Sequence, residues 1–201
     1  MNKFDLLESK VIPLALKDVD TDMIIPAQFL TSVSREGYGK NLFRRLRDSE
    51  PNFPFNCKEF AGAQILAADF NFGCGSSREH AVWSLMDAGI RVVIGKSFAD
   101  IFSSNSAKNG LVLIVLAEDD VDQILVAAKS GNYTMRVDLA KQFVVLPDGK
   151  NLQFAYDPFR KHCILNGLDD IDYILTHKAE IEEFRKKQKD VRFFRSTEAN
   201  N

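Results

Sequence analysis

Gln64-Ile-Leu-Ala-Ala68, Asn71-Phe-Gly-Cys-Gly-Ser-Ser77 and Arg78 to Ala88 follow one another in the chain and read as strand, glycine turn and helix. The first is a short apolar run of the kind that is buried on both faces. In the third, Ala81, Val82, Leu85 and Ala88 fall at helical spacing, and Gly89 supplies the stop. The pattern repeats downstream. Arg91-Val-Val-Ile94 predicts a second strand, Phe98 to Lys108 a second helix ended by Gly110, and Leu111 to Leu116 a third strand. Near-continuous apolar strands alternating with helices imply right-handed crossovers and parallel pairing.

Working outward, Glu118 to Lys129 predicts another helix stopping at Gly131, and Thr134 to Leu139, Phe143 to Leu146 and Leu152 to Tyr156 predict strands. The Asp148-Gly149 turn between the last two is a hairpin signal, so the sheet gains antiparallel strands. Asp157-Pro158 opens a helical C-terminal third, broken at Gly167. Towards the N-terminus, Lys10 to Leu16 predicts a strand, and Asp18, Asp20, Thr21 and Asp22 an acidic turn with no helix period. Thr31 to Asn56, rich in Ser, Gly, Arg, Asn and Pro, predicts a long functional loop that stays disordered until a partner or substrate arrives. The six Lys/Arg between Arg185 and Arg195 belong to a solvated helix end, and 189–201 to a flexible tail.

A length of 201 residues predicts one domain spanning 1–201, and 45% hydrophobic with 27% charged residues is an ordinary globular balance. Lys+Arg 26 against Asp+Glu 28 leaves a net charge of -2, and with a pI of 5.9 no basic field exists for a nucleic acid. No apolar run approaches bilayer length, so no membrane partner is expected and the protein reads as cytoplasmic. Cys57, Cys74 and Cys163 form no C-x-x-C pair, which argues against a disulfide framework or a self-contained zinc or iron–sulfur site. No metal site is predicted on this chain.

The turn Gly73-Cys74-Gly75-Ser76-Ser77-Arg78 collects unpaired N–H groups and a positive helix end at one point, which suits an anion. It is neither a dinucleotide fingerprint, whose third glycine would fall on Arg78, nor a phosphate-binding P-loop, nor a nucleophile elbow. What remains is two hydroxyls and a guanidinium, fitting a small polycarboxylate. A structural reading stands beside it: Ser76 with Glu79 forms a capping box, and the glycines merely permit the turn. His80 lacks the neighbours of a metal ligand and reads as a supporting residue. Cys74, beside a helix N-terminus, has the setting for a lowered pKa and a reactive thiol, though no histidine base can be named for it.

Asn71 to Ala81, together with Asp18-Val-Asp-Thr-Asp-Met-Ile-Ile-Pro26 and Lys96-Ser-Phe-Ala-Asp-Ile-Phe102, closely resembles the small-subunit family of 3-isopropylmalate dehydratase. Supporting patches are Gln28-Phe-Leu30, Gly37-Tyr-Gly39, Asn105, Asn109-Gly110, Phe159-Arg-Lys-His-Cys163 and Asn166-Gly-Leu-Asp169, and the likeness runs from Val11 to Gln188. The family is the detached swivel domain of the aconitase superfamily. The resemblance implies an α/β chain: a swivelling β/β/α domain with a mixed, partly parallel barrel-like sheet and flanking helices. It implies no cofactor on this chain and a large-subunit partner carrying an iron–sulfur (4Fe–4S) cluster. The implied reaction interconverts 2-isopropylmalate and 3-isopropylmalate, small dicarboxylates, through 2-isopropylmaleate in leucine biosynthesis.

By the same resemblance Ser76 is the catalytic base, Ser77 and Arg78 bind substrate, and the backbone of Gly73, Cys74 and Gly75 builds the anion loop. Thr21, Asp22, His80 and Asn105 stand behind them. Arg35, Val33 and Tyr38 fall where the family reads the group on the substrate's γ-carbon. Two other readings stay open: a small subunit of a citraconate/methylmalate or homoaconitate hydratase, and a non-catalytic anion-binding assembly module. RNA binding, a second role of some superfamily members, finds no aromatic-basic stripe here.

Overall fold

The computed structural model describes residues 1–30 and 36–188. The chain divides into two compact units, Met1–Asp169 and Asp170–Asn201. Among the described residues the first holds seven strands and six α-helices, besides four short 3-10 turns: β1 (Leu7–Leu14), α1 (Thr21–Ile24), α2 (Arg44–Ser49), β2 (Ile65–Ala68), α3 (Glu79–Asp87), β3 (Val92–Gly95), α4 (Asp100–Asn109), β4 (Val112–Val115), α5 (Glu118–Ala128), β5 (Thr134–Asp138), β6 (Phe143–Val145), β7 (Asn151–Gln153) and α6 (Pro158–Asn166). The second contributes α7 (Asp170–Thr176) and α8 (Lys178–Lys187).

All seven strands join one sheet in the order β4-β3-β2-β1-β5-β6-β7, curled into a half-barrel with flanking helices. β1 is the pivot. Its first half pairs antiparallel with β5, Leu7 opposite Val137, and its second half pairs parallel with β2, Val11 opposite Ile65. β2, β3 and β4 are parallel, whereas β5, β6 and β7 form an antiparallel meander whose last turn is Pro147 to Lys150.

The apolar strands have a physical reason. Side chains alternate, so Ile65, Ala67, Val92, Ile94, Val112 and Ile114 enter a core shared with α5 and the meander. Leu66, Ala68 and Val93 enter a second core with Ala81, Val82 and Leu85 of α3 and Phe102 of α4. With both faces covered, no position on β2 or β3 is left for a polar residue.

Three expectations need correction. The acidic turn contains one helical turn, α1, because the Asp20 carboxylate accepts from Met23 N at 2.7 Å and caps it. The stretch from 36 to 56 is packed rather than disordered: Tyr38, Leu42, Phe43 and Phe53 are buried, and α2 runs through its middle. The helix expected from Phe98 begins at Asp100, because Phe98 is held in a bridge with Phe72.

Candidate active site

Loops leaving the carboxyl ends of β1, β2 and β3 meet at one place, the usual position of a ligand site in a parallel sheet. The loop after β2 is fastened on both flanks. On one side Gly73 N donates to Val19 O at 2.7 Å and Thr21 N to Cys74 O at 2.9 Å. On the other, Phe72 N donates to Ser97 O at 3.2 Å and Ala99 N to Phe72 O at 3.1 Å. Gly73 is required twice over: its φ is 82°, and a Cβ there would lie 2.2 Å from Cγ of Phe102.

The fastening presents Ser76, Ser77 and Arg78 side by side. Thr21 hydroxyl donates to Ser76 O at 3.0 Å, fixing the serine's backbone and leaving its side chain free. Among the described residues neither serine hydroxyl has a partner, and the backbone N–H groups from Ser76 to His80 have no acceptor. Both serines are exposed.

The capping box does not form. Arg78, not Ser76, is the N-cap of α3, and it makes no side-chain cap. The Glu79 carboxylate instead accepts from Nδ2 of Asn109 at 2.7 Å, whose Oδ1 accepts from Nε1 of Trp83 at 3.0 Å. The serine that would have closed the helix end is therefore available for chemistry.

Arg78 donates from Nη1 to Oδ1 of Asp22 at 2.8 Å and is aimed by it, with Ile25 O a longer acceptor at 3.4 Å. Asp22 also accepts from Ala27 N at 3.1 Å and from Nη1 of Arg45 at 2.5 Å. The bond from Arg78, then that from Ala27, hold its carboxyl below the usual carboxylate range against a small opposing effect of burial. Asp22 is an ion throughout the neutral range.

The thiol reading of Cys74 is overturned. Burial, with Asp20 and Asp18 nearby, pushes its pKa up rather than down, so a thiolate is disfavoured. The His80 ring packs edge-on against Tyr38 and Trp83, at 5.3 and 4.7 Å between centroids. Tyr38 is itself only 2% exposed. Asn105 reaches this cluster through its carbonyl, which accepts from Asn109 at 2.9 Å. Val33 and Arg35 lie outside the described residues. Among the described residues no group of three or more His, Cys, Asp or Glu is placed to hold a metal.

Sequence reasoning missed three residues. Arg45 carries no motif. Asp87, at the end of α3, accepts from Gly37 N at 3.0 Å and Gly39 N at 2.7 Å, so the Gly37-Tyr-Gly39 signal marked a loop clamped to that helix. Gly39 fits because a Cβ there would come within 2.6 Å of Ala88 N. Asn109 was quoted only within a supporting patch, yet it joins α4 to both Glu79 and Trp83.

The sequence profile of the aconitase C-terminal domain matches residues 1–119. A relative from Francisella tularensis subsp. novicida is 49% identical over 189 residues, covering 94% of this chain and all of its own. One from Erythrobacter litoralis is 49% identical over 94% of this chain and 93% of its own. Both are named 3-isopropylmalate dehydratase small subunit. The crystal structure of a 3-isopropylmalate dehydratase chain from Methanocaldococcus jannaschii is similar with a TM-score of 0.68 at 28% identity, covering 89% of this chain and 99% of that one. Near-full-length identity of this degree, on the same half-barrel, places the chain in the small-subunit family of 3-isopropylmalate dehydratase.

Proposed function

We propose that this chain is the small subunit of a cytoplasmic hydro-lyase interconverting 2-isopropylmalate and 3-isopropylmalate through 2-isopropylmaleate in leucine biosynthesis, active only with its large subunit. The observation that carries the reading is two unpartnered hydroxyls, Ser76 and Ser77, beside a guanidinium aimed by Asp22.

Dehydration requires a proton to leave the carbon next to a carboxylate while hydroxide leaves its neighbour. Ser76 Oγ takes the proton, the C–H pair becomes the double bond, and rehydration in the other sense returns the proton to the adjacent carbon. A serine acts this way only where its oxyanion is strongly stabilised, and the row of free N–H groups at the α3 N-terminus supplies that field. With Nη1 tied to Asp22, the rest of the Arg78 guanidinium is left to grip a substrate carboxylate. Ser77 donates to the same substrate, and Thr21, through Ser76 O, keeps the loop from rotating. The leaving hydroxide calls for a Lewis acid, which in this reading is the large subunit's iron–sulfur (4Fe–4S) cluster. Val33 and Arg35 remain our candidates for reading the isopropyl group. Tyr38 serves that segment as a buried anchor against His80.

The test follows alkene absorbance with 3-isopropylmalate, using this chain alone and then mixed anaerobically with a cluster-loaded large subunit. The chain alone is expected to be colourless and inactive, the mixture active, and Ser76→Ala inactive in the mixture. Turnover of citraconate but not isopropylmalate would move the substrate, and unchanged turnover in Ser76→Ala would leave an anion-binding module.

A further inference from the structure

Away from the glycine loop, a cavity of about 300 Å³ lies along β4. β4 ends the sheet, so one side of its backbone is unpaired. Val112 N bonds Arg91 O and Leu116 N bonds Gly95 O, and the alternation of a parallel ladder turns the backbone groups of Leu113 and Val115 to the open edge. The Tyr156 hydroxyl bonds the backbone of Leu113, and burial pushes its pKa up to about 12, so it stays neutral and closes one part of that edge. The remainder opens onto the cavity, with Val115 53% exposed.

The walls carry two unlike halves. Phe98, Leu111, Leu113 and Val115 are apolar, the charged part is Asp100, Asp157 and Arg160, and Ser103 and Ser104 add hydroxyls. Arg160 is half-buried in the first turn of α6, and its guanidinium has no hydrogen-bonded or ionic partner among the described residues. Asp157 is occupied, its Oδ1 capping α6 by accepting from Arg160 N at 2.8 Å. Asp100 has no partner among the described residues. A half-buried, unpaired guanidinium is an uncommon arrangement in a folded chain, since burial without a partner is unfavourable.

We propose that this cavity binds an aliphatic α-amino acid, its carboxylate on Arg160, its ammonium on Asp100 and the open β4 edge, and its side chain on Leu111, Leu113 and Val115. A plain carboxylate would answer Arg160 but meet the two aspartates as a like charge. A zwitterion answers both signs. The size is at the lower limit for ligand cavities, which favours a single amino acid over a peptide laid along the strand. This proposal does not rest on the dehydratase reading, because none of these groups belongs to the Ser76 site.

The experiment is titration calorimetry of the full chain with L-leucine, 4-methylpentanoate, which lacks the ammonium, and isopentylamine, which lacks the carboxylate. Saturable one-to-one binding of L-leucine is expected, at least tenfold weaker for either analogue and for Arg160→Gln, with Arg78→Gln unchanged. Asp100→Asn, at an exposed position, should weaken L-leucine but not 4-methylpentanoate, which guards against a folding defect in Arg160→Gln. The absence of saturable L-leucine binding overturns the proposal. So does equal binding of 4-methylpentanoate, or loss in Arg78→Gln with retention in Arg160→Gln.

Discussion

Two loops of this chain share an origin and differ in what they do with their polar groups. Residues 69–78 follow β2, residues 96–99 follow β3, and each feeds a helix with no side-chain cap. The two touch through the Phe72–Phe98 bridge. In the second loop both polar side chains are engaged. The Lys96 ammonium, 5% exposed, sits 3.0 Å from Asp69 and 2.6 Å from Asp122, and 4.9 Å from the centre of the Phe70 ring. Ser97 Oγ accepts from Asn71 N at 2.8 Å, and its carbonyl accepts from Phe72 N. The first loop, held in place by these bonds, leaves the Ser76 and Ser77 hydroxyls unengaged. One loop is scaffold for the other.

The sharpest way to break that contrast is to delete one hydroxyl from each loop. Ser76→Ala should lower turnover of the reconstituted enzyme by about 10²–10⁴-fold, the range of a lost general base, with melting unchanged. Ser97→Ala should keep turnover and lose roughly 1 kcal/mol of stability, the net worth of one hydrogen bond. Equal loss of turnover in both would end the distinction. Glycine offers the next comparison. Gly73→Ala forces a Cβ into Phe102 at a φ of 82°, and should cost roughly 3 kcal/mol in denaturant unfolding. Gly149→Ala, at φ 86° with nothing within 4 Å, should cost only about 1 kcal/mol from backbone strain.

Asp22, which aims Arg78 of the first loop, and Lys96 of the second titrate at opposite ends of the pH scale. Asp22 has its pKa lowered in the fold, so its contribution is complete above the ordinary carboxylate range and is lost as pH falls through the depressed value. Lys96, raised first by its bond to Asp122, contributes fully below the ordinary lysine range and loses that contribution as pH rises through the raised value. Melting curves of Asp22→Asn and Lys96→Met should therefore converge on the parent in acid and in alkali respectively. A Lys96→Met protein that differed most at high pH would contradict the Lys96 assignment.

How much of this was legible in the sequence follows the reach of each contact. β2 and β3 could be read because two covered faces make each strand apolar, and the β6–β7 hairpin because Asp148-Gly149 suits its turn. α1 and α2 could not. Segments of 4 and 6 residues are too short to hold by propensity, and α2 starts from Phe43 in a left-handed conformation, φ 51°, fixed by its N–H bond to Ile24 O. At the site, the local spacing of Gly73 to Arg78 announced the turn between β2 and α3. The Ser76 and Glu79 spacing was equally local and misled, because Glu79 is taken by Asn109, 30 residues on. Asp87, 48 residues from Gly39, gave no signal of its own.

The smallest effect tests the outer edge of the site. Arg45 and Arg78 bond the two oxygens of one carboxylate, yet the Arg45 side chain is 61% exposed and that of Arg78 only 21%. Water screens the first pair far more than the second, so Arg45→Gln should remove less than about 1 kcal/mol. The loss should appear as a rise in KM for isopropylmalate, by less than about fivefold at low salt, and should vanish at high ionic strength. Arg78→Gln should raise KM by more than that and stay salt-insensitive, because its loss removes a hydrogen bond to substrate as well as a charge. If Arg45→Gln matched it in size and in salt response, Arg45 would itself be holding substrate, and the site would extend from the glycine loop across Asp22 to the first turn of α2.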